Sequence, residues 1–291
     1  MADARWLWLH GGMPLSFTLN DAARSAANRS RPRRVLVTGA AGNIGSYYAE
    51  HAPAHHTRRL MVRPGDDDAD RLARYGEVVE ADLDDRSRLV ELCRGIDTVV
   101  HLAADPSPKA EWDSLLPANI VGTYNVMSAA KEAGVKRVVY ASSIHAVSGY
   151  PVDVQVKTTE PVNPGDLYGV TKCFGEALGR YYAEQEGMSV IALRIGAFQP
   201  LAIAANTKNA GLLDAFVSRR DLNQLLVRCV DNDTLQFAVF HGLSNNRYKR
   251  LDLSDARALV GYEPQDDLAA ENPQFKNTAL TGEPLTHQGT G

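Results

Sequence analysis

From residue 34 onward, short apolar runs alternate with longer amphipathic stretches. Arg34-Val35-Leu36-Val37 reads as a first strand feeding a glycine-rich turn, after which a helix is predicted up to Pro53. Further strands are predicted near Arg58–Val62, at Val78-Val79, and over Asp97–Leu102, Arg137–Tyr140 and Ser189–Leu193. The segments DTVVHL and RVVY run almost continuously apolar, the pattern of strands buried on both faces. Helices are predicted between them at Asp85–Cys93, Leu116–Ala133 and Leu167–Glu186. Strand, turn and helix in repetition predict an α/β fold on a doubly wound parallel sheet, with its ligand site beyond the carboxyl ends of the strands.

The pattern changes after the sixth strand. Arg194–Pro200 leaves the sheet, and Leu201–Gly211 is small and polar, which suits a mobile loop over a cleft. Ser218 stands at an N-cap position ahead of a helix, Phe237–His241 reads as a strand, and Asp252–Val260 reads as a helix stopped by Gly261 and Pro264. The predicted organisation is a flexible extension over 1–33, a main domain over 34–197, a small cap over 198–264 and a polar tail over 265–291. In the extension, Trp6-Leu7-Trp8-Leu9 is cut off by His10-Gly11-Gly12 before it reaches the roughly 7–15 apolar residues of a secretory signal. The Arg31-Pro32-Arg33-Arg34 run is read as a solvated lead-in to the first strand rather than a localisation signal or phosphate contact.

Composition narrows the class. A chain of 291 residues can bury one α/β core with a small cap. A formal charge of -4 offers no electrostatic footprint for nucleic acid or an anionic membrane. Cys93, Cys173 and Cys229 are scattered, odd in number and without zinc-type spacing. Neither disulfides nor a metal is therefore expected, and a reducing, cytoplasmic setting is. No apolar run approaches the roughly 18 residues of a membrane span. A homo-oligomer is left open.

Gly39, Gly42 and Gly45 give G-x-x-G-x-x-G where the first strand meets the first helix. Glycines there permit a tight turn, backbone approach to a pyrophosphate and close helix–sheet packing, while Asn43 and Ile44 open the helix whose N–H groups face the phosphates. The turn in that context predicts a Rossmann-type dinucleotide-binding domain over 34–197. NAD sites place an acid at the end of the second strand, where this chain has Val62 followed by Arg63. NADP is accordingly favoured over NAD, with Arg63 set against a 2′-phosphate, although Asp66–Asp68 could still reach a ribose. Asp82 and Leu83 are predicted beside the adenine, Asp82 alternatively as a helix cap, and Leu102-Ala103-Ala104 as a small apolar floor.

The candidate chemistry is Tyr168-Gly169-Val170-Thr171-Lys172. Tyr168 and Lys172, at i and i+4, share one helix face. A free phenol titrates near pH 10, too high for a base, and the lysine ammonium with an oxidised nicotinamide ring is expected to bring that value down. Ser142 and Ser143 end the fifth strand at the sheet's carboxyl edge, Ser143 the better placed to hold a substrate oxygen. Asn119, inside a predicted helix, is a buried amide that needs partners and could hold a water against the lysine.

Taken in order and spacing, TGAAGNIG, HLAA, NIVGT, ASS and YGVTK resemble the extended short-chain dehydrogenases of the NAD-dependent epimerase/dehydratase family, over residues 34–264. SS-x-H, KCFGE and RIG resemble uronate dehydrogenases, and ADPSPKAEWDSLL with GLSNN and DARALVGYEPQD resembles archaeal hexose-phosphate dehydrogenases. The resemblance implies Tyr168 as base, Lys172 as its activator, Ser143 as hydroxyl partner and Asn119 in a proton relay. It also implies Ile195 near the nicotinamide, a substrate-binding cap over 198–264, a substrate region including Ser142, Ile144, His145 and Gln199, and a small sugar-like substrate oxidised by hydride transfer. Two departures stand out. Ile144 replaces the asparagine after the paired serines, and the arginine that grips a uronate carboxylate aligns with Gly211, leaving Lys208, Arg219 or Arg220 as substitutes. Ile144-His145 also lacks the Asp-Glu pair of dehydratases. A sugar epimerase with retained cofactor and a non-catalytic dinucleotide sensor are the alternatives.

Overall fold

A computed structural model describes residues 31–277, so the Trp6–Leu9 stretch and the end of the predicted tail lie outside the described residues. The strands are β1 (Arg33–Thr38), β2 (His56–Val62), β3 (Glu77–Glu80), β4 (Thr98–His101), β5 (Arg137–Ser143), β6 (Ser189–Ile195), β7 (Ala197–Gln199), β8 (Phe216–Ser218) and β9 (Phe237–Gly242). Seven of them form a parallel sheet in the order β3-β2-β1-β4-β5-β6-β9. The helices are α1 (Asn43–His51), α2 (Ala69–Leu72), α3 (Arg86–Cys93), α4 (Trp112–Leu115), α5 (Gly122–Glu132), α6 (Leu167–Glu184), α7 (Arg219–Asp231), α8 (Ser254–Val260) and α9 (Leu268–Glu271). Among the described residues no helix is long and apolar enough to cross a membrane.

Both faces of the sheet are covered, which accounts for the unbroken apolar strands. Val35, Val37, Leu60, Val100, Val139 and Ile191 pack against Tyr48 of α1 and Leu222, Leu225 and Cys229 of α7. The alternate residues Leu36, Met61, Val99, Val138 and Val190 pack on the other face against Leu89 of α3, Met127 of α5 and Tyr182 of α6. Each fully buried aliphatic or aromatic side chain stabilises this sandwich by about 1.5–3 kcal/mol. Strand order reverses between β1 and β4, which opens a crevice at their carboxyl ends.

Several elements differ from the sequence reading. Arg33 is no solvated lead-in; it belongs to β1, is buried, and donates to both carboxylate oxygens of Asp233 at 2.9 and 2.7 Å. A partner two hundred residues away leaves no local signature. Leu116–Val121 winds as a π-helix between α4 and α5. Leu201–Ala205 and Thr207–Leu212 form two 3-10 turns where the sequence suggested a mobile loop, and they connect β7 to β8, which pair in parallel. The described part of the polar tail is packed: Leu268, Ala269 and Phe275 are buried against Leu213 and Phe216. Ser218 caps α7 as expected, its hydroxyl accepting from the Asp221 N–H, and Gly261 closes α8 with a φ of 67°.

Candidate active site

The glycine turn lies at the carboxyl end of β1. Gly39 has a φ of 69°, and a Cβ there would come within 2.8 Å of the Ala103 nitrogen. At Gly45 a Cβ would strike the Gly39 carbonyl at 2.3 Å, so α1 approaches the strand as closely as a missing side chain allows. Gly42 is exposed, and a Cβ there would meet only Gly39 O, at 3.3 Å. Asn43 is exposed and Ile44 half-buried in the first turn of α1, which carries no side-chain cap, so its opening N–H groups face an accessible cradle. A diphosphate fits this turn on both shape and donor supply.

The flanks are arranged around the same edge. Leu102, Ala103 and Ala104 follow β4 half-buried, and Ile195 ends β6 in register with Ser143. Asp82 is exposed beyond β3 and does not cap α3; Asp85 does, accepting from the Arg88 N–H. Leu83 is fixed against α5, where Asn125 donates to its carbonyl at 2.9 Å. Val62 is buried at the end of β2, and Arg63 stands exposed immediately after it. Of the nearby acids, Asp66 accepts from the Asp68 N–H and Asp68 holds Arg71 at 3.0 Å.

The reactive groups converge from β5 and α6. Asp166 caps α6 by accepting from the Gly169 N–H at 2.7 Å, and this sets Tyr168 and Lys172 on the helix's buried face. The Lys172 ammonium donates to the Ala141 carbonyl at 2.9 Å and lies 5.3 Å from the Tyr168 ring centroid. A second ring, Tyr140, stands 5.4 Å away on the strand side. Burial draws the Lys172 amine down to about 8. Burial also pushes the Tyr168 phenol up to about 12, opposed by a hydrogen bond with Ser143. Desolvation of the anion thus sets the direction in the protein by itself, and the expected lowering belongs to the state with an oxidised nicotinamide ring bound.

Ser143 ends β5, and its hydroxyl accepts from the His145 N–H at 3.2 Å. Ser142 points to the opposite face, because successive strand residues alternate. Its hydroxyl donates to Glu176 at 2.6 Å, which in turn holds Arg194 through two bonds of 2.8 Å, all of it buried. Ser142 is thus a core residue rather than a substrate contact. Ile144 is buried with Val147, Leu243 and Leu251. His145 lies edge-on to the Tyr168 ring, with its Nδ1 2.6 Å from Asp166, and Gln199 is exposed at the end of β7.

Asn119 is buried in the π-turn ahead of α5. Its amide oxygen accepts from the Asp105 N–H at 2.7 Å, and its amide nitrogen donates to the Asp105 carbonyl and the Thr171 hydroxyl at 3.0 and 3.1 Å. Both donors of the side chain bind protein, so it latches the loop after β4 to α6. The π-turn around it supplies the offset that brings this amide under α6. Asp166 and Glu176 were not singled out from the sequence. An aspartate directly ahead of a helix is a readable N-cap signal, whereas Glu176 depends on contacts distant in sequence.

A model of a sequence family, described as the NAD dependent epimerase/dehydratase family, matches residues 35–236. The chain belongs to that family. NAD-dependent glucose-6-phosphate dehydrogenase of Haloferax volcanii is 34% identical over 86% of this chain and 97% of its own length. Uronate dehydrogenase of Pseudomonas putida is 30% identical over 80% of this chain and 84% of its own. Among solved structures, glucuronic acid dehydrogenase from Chromohalobacter salexigens superposes with a TM-score of 0.74 at 32% identity, covering 87% of this chain and 92% of that one.

Proposed function

We propose that this protein of the epimerase/dehydratase family is an NAD(P)-dependent sugar dehydrogenase that oxidises a ring hydroxyl of a monosaccharide, with the anomeric carbon as the favoured position and a lactone as product. The observation that carries the reading is the meeting of Ser143, Tyr168 and Lys172 at the carboxyl edge of the sheet, on the same rim as the open glycine turn. Gly42, with the first turn of α1, would hold the diphosphate, and Leu102, Ala103, Ala104 and Ile195 would line the nicotinamide end. A nicotinamide dinucleotide, when bound, accepts the hydride and places a positive ring near the phenol.

Ser143 holds the substrate oxygen, and Tyr168 takes the hydroxyl proton as the C–H pair leaves as hydride and the C–O bond becomes a carbonyl. Lys172, one turn further along α6, steadies the phenolate while its own position is fixed by Ala141. His145, oriented by Asp166, borders the place where the sugar would sit. NADP is the favoured cofactor, because Arg63 occupies the exposed position after β2, while Asp66 accepts from the Asp68 N–H and Asp68 from Arg71.

The substrate reading is a neutral aldose rather than a uronate. Gly211 provides no cation, Lys208 and Arg219 are exposed, and Arg220 is held by both oxygens of Asp266. Losing a charge-assisted anchor costs about 1.5–3 kcal/mol of carboxylate recognition. A panel of aldoses, uronates and sugar phosphates, followed by reduced-nicotinamide absorbance with both cofactors, tests this. Net reduction by a neutral aldose with NADP+ as the better cofactor is expected. No reduction with any sugar, together with dinucleotide that stays bound through purification, would make the protein an epimerase instead.

A further inference from the structure

The amino-terminal edge of the sheet, opposite the catalytic rim, carries a group of side chains that the sugar chemistry does not use. A turn closed by the His56 N–H donating to the Pro53 carbonyl presents two successive histidines to one carboxylate. Both Nε2 atoms reach Oδ1 of Asp231, at 3.1 Å from His55 and 2.8 Å from His56. The two imidazoles stand at 77° to each other, and one ligand atom from each of the three residues lies within 4.8 Å of the others.

We propose that His55, His56 and Asp231 form a binding site for a divalent transition-metal ion of the zinc type, clamping the start of β2 to the end of α7. Four features point to a metal rather than to a hydrogen-bonded triad alone. Imidazole and carboxylate ligands at about 2.1 Å around a tetrahedral ion stand roughly 3.4 Å apart, and the two nitrogen–oxygen separations of 3.1 and 2.8 Å, with all three ligand atoms within 4.8 Å of one another, lie near that spacing. Tyr48 sits 2.8 Å from His56 Nδ1, the outer hydrogen bond that fixes a ligating imidazole with its Nε2 turned to the ion. Asp231 closes the 13-residue helix α7, where the partial negative charge of the helix end favours a cation. His55 is 20% exposed while Asp231 is 4% exposed, so water can complete the coordination from the His55 side. The nearby Arg33 does not cancel this attraction, since Asp233 neutralises it through two hydrogen bonds. Two imidazoles and a single carboxylate select zinc or cobalt over magnesium or calcium, which require oxygen ligands. Adjacent histidines joined by a carboxylate 175 residues later have no spacing signature, which is why the sequence suggests no metal.

The test uses untagged full-length protein, stripped with chelator and titrated with Zn2+ by calorimetry, with thermal melts in parallel. One zinc per chain at this site and a higher Tm are expected, with neither produced by Mg2+. In His55→Ala, a partly exposed position that the fold tolerates, zinc affinity is expected to fall about tenfold or more and the zinc-dependent rise in Tm to vanish. Sugar oxidation in metal-free buffer should be unchanged in this variant, which separates the site from the catalytic reading. Absence of zinc uptake by the wild-type protein, or wild-type affinity and Tm gain in His55→Ala, overturns the proposal.

Discussion

Two side chains one helical turn apart carry opposite electrostatic burdens. Burial holds the Lys172 amine down at about 8 and the Tyr168 phenol up at about 12, so each resists the charge that catalysis asks of it. A positive group arriving in the cleft would relieve the phenol, which couples the base to the presence of oxidised cofactor. Arg63 poses a separate question of charge. With Arg63→Ser, KM for NADP+ should rise roughly tenfold or more, the loss of a charge-assisted hydrogen bond, while NAD+ kinetics stay put. Equal effects on both cofactors would remove Arg63 from the 2′-phosphate. At this scale the sequence was readable where chemistry is local, as in the i, i+4 pair of Tyr168 and Lys172. The preference for Ser143 over Ser142 was readable too, but the partner that buries Ser142 was not, since Glu176 is 34 residues away.

Strand and helix patterns were legible because both faces of the sheet are buried and the turn residues mark the ends. The π-turn at Leu116–Val121 was hidden, since its composition is that of an ordinary helix and only the pull of Asn119 toward Asp105 and Thr171 distinguishes it. The β7-β8 pair was hidden too, being three residues long on each side and held by its register rather than by propensity. The glycine turn supplies the sharpest element-level prediction. Gly42→Ala adds a single Cβ whose one near contact is the Gly39 carbonyl at 3.3 Å, so its Tm should stay within a few degrees of wild type while dinucleotide affinity, measured by calorimetry, drops at least about tenfold. A variant that binds dinucleotide normally would show that the diphosphate does not approach this backbone.

Across the whole molecule, buried imidazoles set the acid limit of stability. Burial lowers His101 to about 3, with Lys172 adding to the effect, and lowers His241 to about 4. Folded values below the ordinary 6.5 mean that the unfolded chain binds more protons between those limits. The stability these groups contribute is complete above pH 6.5 and is lost as pH falls toward their folded values. Denaturant midpoints should therefore fall steadily as pH is lowered through this window, and His101→Asn should flatten part of the slope. A midpoint independent of pH there would show that these rings are not held neutral. Six strands of the parallel sheet were legible, but β9 and α7, read as part of the cap over 198–264, belong to the main sheet and its face, because their pairing with β6 and packing on β1 are long-range. Pairs such as Arg33 with Asp233 were hidden for the same reason, being 200 residues apart.

The central claim is that one phenol removes the substrate proton. It is tested most directly by the turnover of Tyr168→Phe on the best sugar of the panel, with dinucleotide affinity measured alongside. The account predicts a fall in kcat of about 10²–10⁴-fold with affinity for the dinucleotide retained. Full turnover in that variant would contradict it.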